Sequence, residues 1–400
     1  MSGFGSIAAR LPALLPWRSP AFRARACVAL GFAVLLAACQ ATSTEEVLKV
    51  EPKLPAPAQE TVGTGPTMIA MLLPRNGAEP LAGRARDDFE AAKLAIADLG
   101  GGTVRLTAYE TGGDPANTRF MAEQAIAAGA RLIVGPIDTA SLAQVAAIAP
   151  KGRPPVLALT GSGGRPGGVF AFASDAVDSA LEGVRAAVSA GQSQVVLLLP
   201  QGFSDADRAR LAAGVAGLKG KLLGTVSYPL EAAAMPAALK AQQPAFAKAT
   251  TAVIFGDGAA PAQVARALIS GGFGVTITTL VGNSSWQREI YADSVLDGAL
   301  VALPDQDSLA QISSRYAAAA GRPLSVEAAL AYDAVALGAG LVRARGADAI
   351  TLQALTADTG FRGAAGLFRL RKDGSVDRRH TVYRIEGGKL NVLQGQGDGF

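Results

Sequence analysis

Thiols and imidazoles are almost missing from this sequence. It has two cysteines, Cys27 and Cys39, both near its start, and no cysteine from residue 40 to residue 400. Disulfides, zinc-thiolate sites and a cysteine nucleophile are therefore excluded from nearly the whole chain. The single histidine, His380, lies in the basic stretch Arg378-Arg379-His380. A Ser-His-Asp triad or a histidine metal site would have to be built around that one ring. No G-x-S-x-G elbow occurs, and the glycine-rich segments lack the G-K-[ST] ending of a phosphate loop. The paired carboxylates Asp87-Asp88 fall on what the spacing predicts to be an exposed helix face. Neither catalysis nor a cofactor is expected, and no metal is called for. Aromatic residues make up only 6% of the chain, few for a pocket that grips a large side chain.

Long apolar runs are also scarce. The run from Val28 to Leu36 falls short of the roughly 20 residues that span a bilayer. It follows Arg10, Arg18, Arg23 and Arg25, with no acidic residue before Cys39, and it ends in Leu36-Ala37-Ala38-Cys39. A basic start, a short apolar stretch and small residues at a cut site read as a secretory signal over 1–38. The ending resembles the lipobox of bacterial lipoproteins, which implies that Cys39 is the lipidation site and the first residue of the mature chain. Those four arginines account for the whole formal charge of +4, so the remainder is balanced. The sequence pI of 9.1 therefore carries no indication of nucleic acid or of acidic partners.

From residue 39 to residue 66 runs Ser/Thr/Glu and then proline-rich sequence, with Pro52, Pro55, Pro57 and Pro66 and no apolar period. It reads as a flexible tether. Beyond it, short apolar strands alternate with amphipathic stretches. Met68 to Leu73, Val104 to Tyr109, Arg131 to Val134 and Val156 to Leu159 read as strands, with helices over Arg84 to Leu99, Asn117 to Ala128 and Ala140 to Ala147. A second series has strands at Val195 to Leu199, Leu222 to Tyr228, Ala252 to Phe255 and Thr276 to Val281. Two helices, Leu309 to Ala320 and Ser325 to Arg343, precede the strands Gly366 to Leu370 and Thr381 to Ile385. The expectation is an α/β fold of two Rossmann-like lobes, each a parallel sheet flanked by helices. We assign 67–188 with 304–360 to lobe 1, and 189–303 with 361–400 to lobe 2.

Four motifs follow one another in order: Met68 to Gly77 (MIAMLLPRNG), Tyr109 to Pro115 (YETGGDP) with Ile133-Val134-Gly135-Pro136, Val253 to Gly258 (VIFGDG), and Phe361 to Asp373 (FRGAAGLFRLRKD) with Gly374 and Tyr383-Arg384. Together they resemble the type 1 periplasmic-binding family, the branched-chain amino-acid receptor group of ABC-importer substrate-binding proteins. The resemblance implies a hinged cleft that binds a small polar ligand, such as an amino acid, and an ABC permease as partner. Ligands of open α/β sheets bind where strands end at their carboxyl side. Together with that rule, the resemblance implies Arg75, Asn76, Thr139, Thr160, Ser162, Phe203 and Asp257 as candidate ligand-binding residues. Arg75 suits a carboxylate or phosphate, or else fills the cleft. Thr139 also suits a helix N-cap, Ser162 and Asp257 ordinary turns, and Phe203 the core. Asn283 and Trp286 fit the cleft mouth or a turn.

A second resemblance stays open beside the first. The Val134-Gly135-Pro136 turn, the Arg-rich segment from Phe368 to Gly374 and the altered first loop are similar to penicillin-binding-protein activator lipoproteins, which implies a ligand-free domain touching a peptidoglycan synthase. Either way the chain is expected in the periplasm, lipid-anchored. Gln40 after the cysteine favours the outer membrane over the inner. One prediction follows from the lipobox. Cells fed radiolabelled palmitate should label the wild-type chain and send it into the detergent phase, while Cys39→Ser should do neither. A labelled Cys39→Ser chain contradicts the assignment.

Overall fold

The computed structural model describes residues 55–272, 275–397 and 399–400. The signal segment, Cys39 and the tether up to Leu54 lie outside the described residues. The first series runs β1 (Gln59–Val62), β2 (Thr67–Leu73), α1 (Leu81–Ala95), β3 (Val104–Glu110), α2 (Pro115–Ala127), β4 (Leu132–Val134), α3 (Thr139–Ala146), β5 (Val156–Ala158) and β6 (Val169–Ala171). The second runs α4 (Ala176–Ser189), β7 (Gln194–Pro200), α5 (Asp205–Gly217), β8 (Lys221–Tyr228), α6 (Met235–Ala241), β9 (Thr251–Ile254), α7 (Ala260–Ser270), β10 (Thr279–Val281) and β11 (Leu300–Leu303). Then come α8 (Gln306–Ala320), α9 (Val326–Arg345) and α10 (Leu352–Leu355). The chain closes with β12 (Phe361–Gly363), β13 (Gly366–Leu370), β14 (Val376–Arg379), β15 (Thr381–Glu386) and β16 (Lys389–Gln394).

Two sheets organise these elements. The first has the order β1-β3-β2-β4-β5-β6, parallel except for β1. The second has the order β16-β15-β11-β10-β9-β7-β8, parallel from β11 to β8 and antiparallel at β15 and β16. Every residue of β2 is buried. Ile69, Met71 and Leu73 point into one core, with Ala85 and Phe89 of α1 and Val335 of α9, while Met68, Ala70 and Leu72 enter another, with Ala122 and Leu142 of α2 and α3. In the second sheet Val196 and Leu198 face α6 and α7, and Val195, Leu197 and Leu199 face α4 and α5. Burial on both faces is why these strands read as continuous apolar runs. Small residues let the helices come close. At Gly338 of α9 an added Cβ would meet Leu132 at 2.7 Å and Ile69 at 2.9 Å.

The chain passes between the sheets three times, at 172–175, 304–305 and 380. These positions revise the expected boundaries. Helix α4, expected in lobe 1, packs with Val195, Leu197 and Ala302 of the second sheet, and Ser179 Oγ donates to Ala302 O at 2.5 Å. The three strands β12 to β14, expected in lobe 2, form a small antiparallel sheet whose Phe368 and Leu370 enter the lobe 1 core beside α9. Residues 59–62, expected as tether, add an edge strand to lobe 1, pairing Gln59 with Tyr109 and Val62 with Leu106.

The small sheet is fixed to α9 by one carboxylate. Asp333 is buried and accepts from Ala364 N at 2.6 Å and Ala365 N at 2.9 Å. Removing it leaves two amides without their acceptor, that of Ala365 fully buried, at about 1–3 kcal/mol for an unmet buried group. Asp333→Ala should lower the unfolding free energy by about 2–5 kcal/mol, measured by urea denaturation, with Asp333→Asn losing less. A loss under half a kcal/mol would mean that the sheet docks through apolar contacts alone.

Candidate ligand-binding cleft

In each lobe the parallel strands end on the same side, and the loops that follow them form a rim. On lobe 1 the rim is built from residues after β2, β4 and β5. Gly135 makes the turn after β4 with φ +86°, and a Cβ there would meet Leu72 O at 2.6 Å. Asp138 caps α3, accepting from Ser141 N at 2.8 Å, so Thr139 is the first helical residue and lies exposed. The cap expected at Thr139 sits one residue earlier. Thr160 is buried and its hydroxyl donates to Ser162 O at 2.8 Å, closing the turn after β5, while the Ser162 side chain is exposed.

Arg75 is buried away from a ligand, and the exposed Asn76 is engaged with the chain's own backbone. The Arg75 guanidinium is buried, with Glu60 Oε2 at 2.5 Å, Pro57 O at 3.2 Å and Glu110 Oε2 at 3.7 Å, and it lies 4.6 Å from the Phe89 ring centre. Asn76 exchanges two hydrogen bonds with the backbone of Ala56, at 2.7 and 2.8 Å. Both side chains therefore hold residues 56–60 against lobe 1. The reason is sequence distance, since a loop read alone gives no sign that a segment about 15 residues upstream returns to cover it.

On lobe 2 the rim carries a cavity of about 250 Å³ lined by Phe203, Phe255, Asp257, Ser285, Asp175 and Asp207 among others. Phe203 and Asp257 are thus brought together. Phe203 follows β7, half-buried, with its ring edge-on to Phe255 at 5.0 Å. Asp257 follows β9 and is exposed. Asn283 and Trp286 are buried instead of lining an opening. Their side chains both donate to Ile254 O, at 3.1 and 3.2 Å, and pin the end of β9. Asp175 caps α4 and pairs with Arg210 at 2.6 Å, and Arg210 also meets Asp178 and Asp207. Three aspartates around one arginine, with Asp257 nearby, leave this wall negative. Asp178 is pushed up to about 6 by burial and by the Asp175 charge. Asp175 also adjoins lobe 1, because a Cβ on Gly161 would meet its Oδ2 at 2.6 Å. The Thr160–Ser162 turn and the lobe 2 cavity are therefore neighbours.

Beneath the rims lie the crossovers. Arg378 is buried, donates to Phe172 O at 2.6 Å, and sits 4.6 Å and 5.0 Å from the ring centres of Phe172 and Phe368. Burial lowers its pKa to about 10, against the opposing charges of Asp333 and Asp178. His380 is buried beside it, with Nε2 3.3 Å from Ser174 Oγ. Among the described residues no cluster of three His, Cys, Asp or Glu side chains is placed to hold a metal, and no helix is long and apolar enough to cross a membrane.

Sequence reasoning missed Arg84. It reaches from α1 to Leu159 O at 2.7 Å, across 75 residues, with no local pattern to announce it.

Residues 66–389 match the model of a family described as periplasmic binding protein. Among solved structures the chain is similar to a putative branched-chain amino acid ABC transporter protein from Rhodospirillum rubrum, at 16% identity and TM-score 0.67, over 82% of this chain and 99% of that one. It is also similar to a branched-chain amino acid ABC transporter periplasmic ligand-binding protein from Burkholderia xenovorans, at 17% identity and TM-score 0.59, over 82% and 94%. A third is an ABC transporter solute-binding protein from R. palustris in complex with benzoate, at 17% identity and TM-score 0.54, over 84% and 98%. No curated protein matches the chain. At these identities the structural likeness speaks for the fold.

The crossovers generate a pH prediction. Burial, and then the Arg378 charge, hold the His380 imidazole down at about 3, against 6.5 when unfolded. A folded pKa below the unfolded one gives stability that is present above 6.5 and lost as pH falls toward 3. Between pH 6.5 and 4.5 the neutral ring accounts for about 2–3 kcal/mol of that loss. In scanning calorimetry His380→Gln should show a shallower fall of Tm from pH 7 to pH 4.5. Parallel falls in the two proteins would show that the imidazole does not titrate as the burial requires.

Proposed function

The chain belongs to the periplasmic binding protein family, and on that premise we propose that it is a lipid-anchored periplasmic receptor that binds a small polar solute for an ABC importer. The observation that carries this reading is the pair of facing rims. A negative, aromatic-lined cavity on lobe 2 adjoins a hydroxyl-bearing turn on lobe 1. Asp257 and the Phe203 ring suit the ammonium and apolar body of an amino acid, and Thr160 and Ser162 the polar end across the cleft. A ligand that touches both lobes favours their closed arrangement by its differential affinity. The benzoate bound by the R. palustris relative brings aromatic carboxylates into the same candidate set. The solute-binding role of the family supports binding without catalysis as the role we assign. The periplasm is the compartment of the family, and the lipobox at Cys39 supplies the anchor, with the outer membrane preferred.

One observation favours the other reading, a ligand-free domain that activates a peptidoglycan synthase. The first rim loop of lobe 1 packs against residues 56–60, which bury Arg75 and engage the Asn76 amide. Thermal shift separates the two. Against a panel of amino acids and aromatic carboxylates, a bound compound at 100 times its Kd stabilises the chain by about 2.7 kcal/mol. Asp257→Asn and Phe203→Ala should each weaken that compound at least about tenfold. No shift with any compound, together with retention of a peptidoglycan synthase in pull-down, contradicts the receptor reading.

A further inference from the structure

Two arginines stand near the end of β2, and they differ in what they can still do. Arg75 has three acceptors around it, and its side chain is 3% exposed. Arg84 is 30% exposed. It donates one hydrogen bond, from Nη2 to Leu159 O, and its Nη1 makes none among the described residues. Leu159 is the residue after β5 and precedes Thr160, and its own amide donates to Pro136 O in the loop after β4. The Arg84 guanidinium therefore reaches the loops after β4 and β5 on the lobe 1 rim and is partly exposed there.

Its counter-charge is unusual. Asp88, one turn further along α1, is fully buried, and neither of its carboxylate oxygens has a hydrogen-bond partner. The nearest cation is Arg84 itself, with Nε 3.5 Å from Asp88 Oδ2 and no hydrogen bond from that nitrogen either. An ordinary structural ion pair in the interior satisfies its atoms, because an unmet buried charge is costly. Here the pair is left loose and the outer guanidinium nitrogen faces solvent.

We propose that Arg84 is the group with which lobe 1 binds a carboxylate end of the cleft ligand, with Asp88 as the buried counter-charge that sets how much of its positive field reaches the ligand. The inference rests on the receptor reading and gives it a polarity, with the anionic end of the solute at lobe 1 and the cationic end at the Asp257 wall of lobe 2. With Nη2 held on Leu159 O, the open Nη1 can give a carboxylate a charge-assisted hydrogen bond in a fixed direction, which a lysine in its place would not hold.

Asp88 makes this binding depend on pH. Burial pushes its carboxyl up to about 7, opposed by Arg84 on its own helix and reinforced by Asp87 beside it and by Glu327 of α9. Asp87 is itself paired with Arg322. At pH 6 the Asp88 carboxyl is mostly protonated and the Arg84 charge is uncompensated. At pH 8 it is mostly ionised and offsets that charge. Carboxylate affinity should therefore fall as pH rises from 6 to 8, a range in which the ligand carboxylate itself does not titrate.

The test pairs carboxylates with their amides on the full chain: L-leucine with L-leucinamide, and benzoate with benzamide, by calorimetric titration at pH 6 and pH 8. The wild type should bind at least one carboxylate and reject its amide, more tightly at pH 6. Arg84→Gln should weaken the carboxylate at least about tenfold, and Arg84→Lys should recover part of the loss. Asp88→Asn should bind as tightly at pH 8 as at pH 6. Unliganded Tm values show whether each variant folds. Equal affinity for acid and amide, or an Arg84→Gln chain that binds the acid unchanged, overturns the inference and leaves the receptor reading standing. A wild type that binds neither member of either pair also overturns it. If it binds nothing in the wider solute panel as well, the receptor reading falls with it.

Discussion

The guanidinium of Arg378 sits where the two lobes meet, and the arrangement of the cleft depends on it. Its hydrogen bond goes to Phe172 O at the first crossover, and it packs beside the Phe172–Phe368 ring pair, so one side chain ties the first crossover to the third. The opposing carboxylates come from different lobes, Asp333 from α9 and Asp178 from α4. A buried cation with an anion on either side of a hinge has two places to lean. Its Nε and Nη1 make no hydrogen bond in this arrangement. Arg378 thereby links the crossovers, an arrangement that fits the proposed closure of the lobes on a ligand.

Given that hinge, the parallel sheets do the rest. All strands of a parallel run end on one side, so each lobe has a single rim of loops where helices begin. The two rims differ in chemistry. Lobe 2 gathers Asp175, Asp178 and Asp207 around one arginine, with Asp257 and the Phe203–Phe255 pair beside them. Lobe 1 offers hydroxyls and Arg84. Its first loop is occupied by the chain's own residues 56–60, which also extend the sheet through β1. The segment that begins as tether thus ends as part of the fold and covers Arg75 in the first loop.

Much of this architecture was legible in the residues, for a physical reason. Strands buried on both faces must be apolar throughout, and β2, β7 and β9 stand out against their polar flanks. Helices α1, α2, α8 and α9 followed from spacing. What escaped were elements defined by distant partners. Strand β1 reads as polar linker because it is an edge with one half-exposed face. Helix α4 was lost between the two series, although Asp175 and Asp178 form a capping box at its start. The small sheet carries a strong local motif, but only the contact with Asp333 and the lobe 1 core assigns it to that lobe. The site divides in the same way. Phe203 and Asp257 follow their strands directly, so position alone places them on one rim, whereas the partners of Arg75 and the reach of Arg84 are long-range and invisible to a linear reading.

The central claim is that a solute bridges the two rims and draws the lobes together about the Arg378 hinge. Small-angle X-ray scattering on the full chain, with and without a saturating compound that raises its Tm, tests this directly. Closure predicts a smaller radius of gyration in the bound state, with no change in molecular mass. A bound state of unchanged radius would contradict the account, because the solute would then be held by one lobe alone.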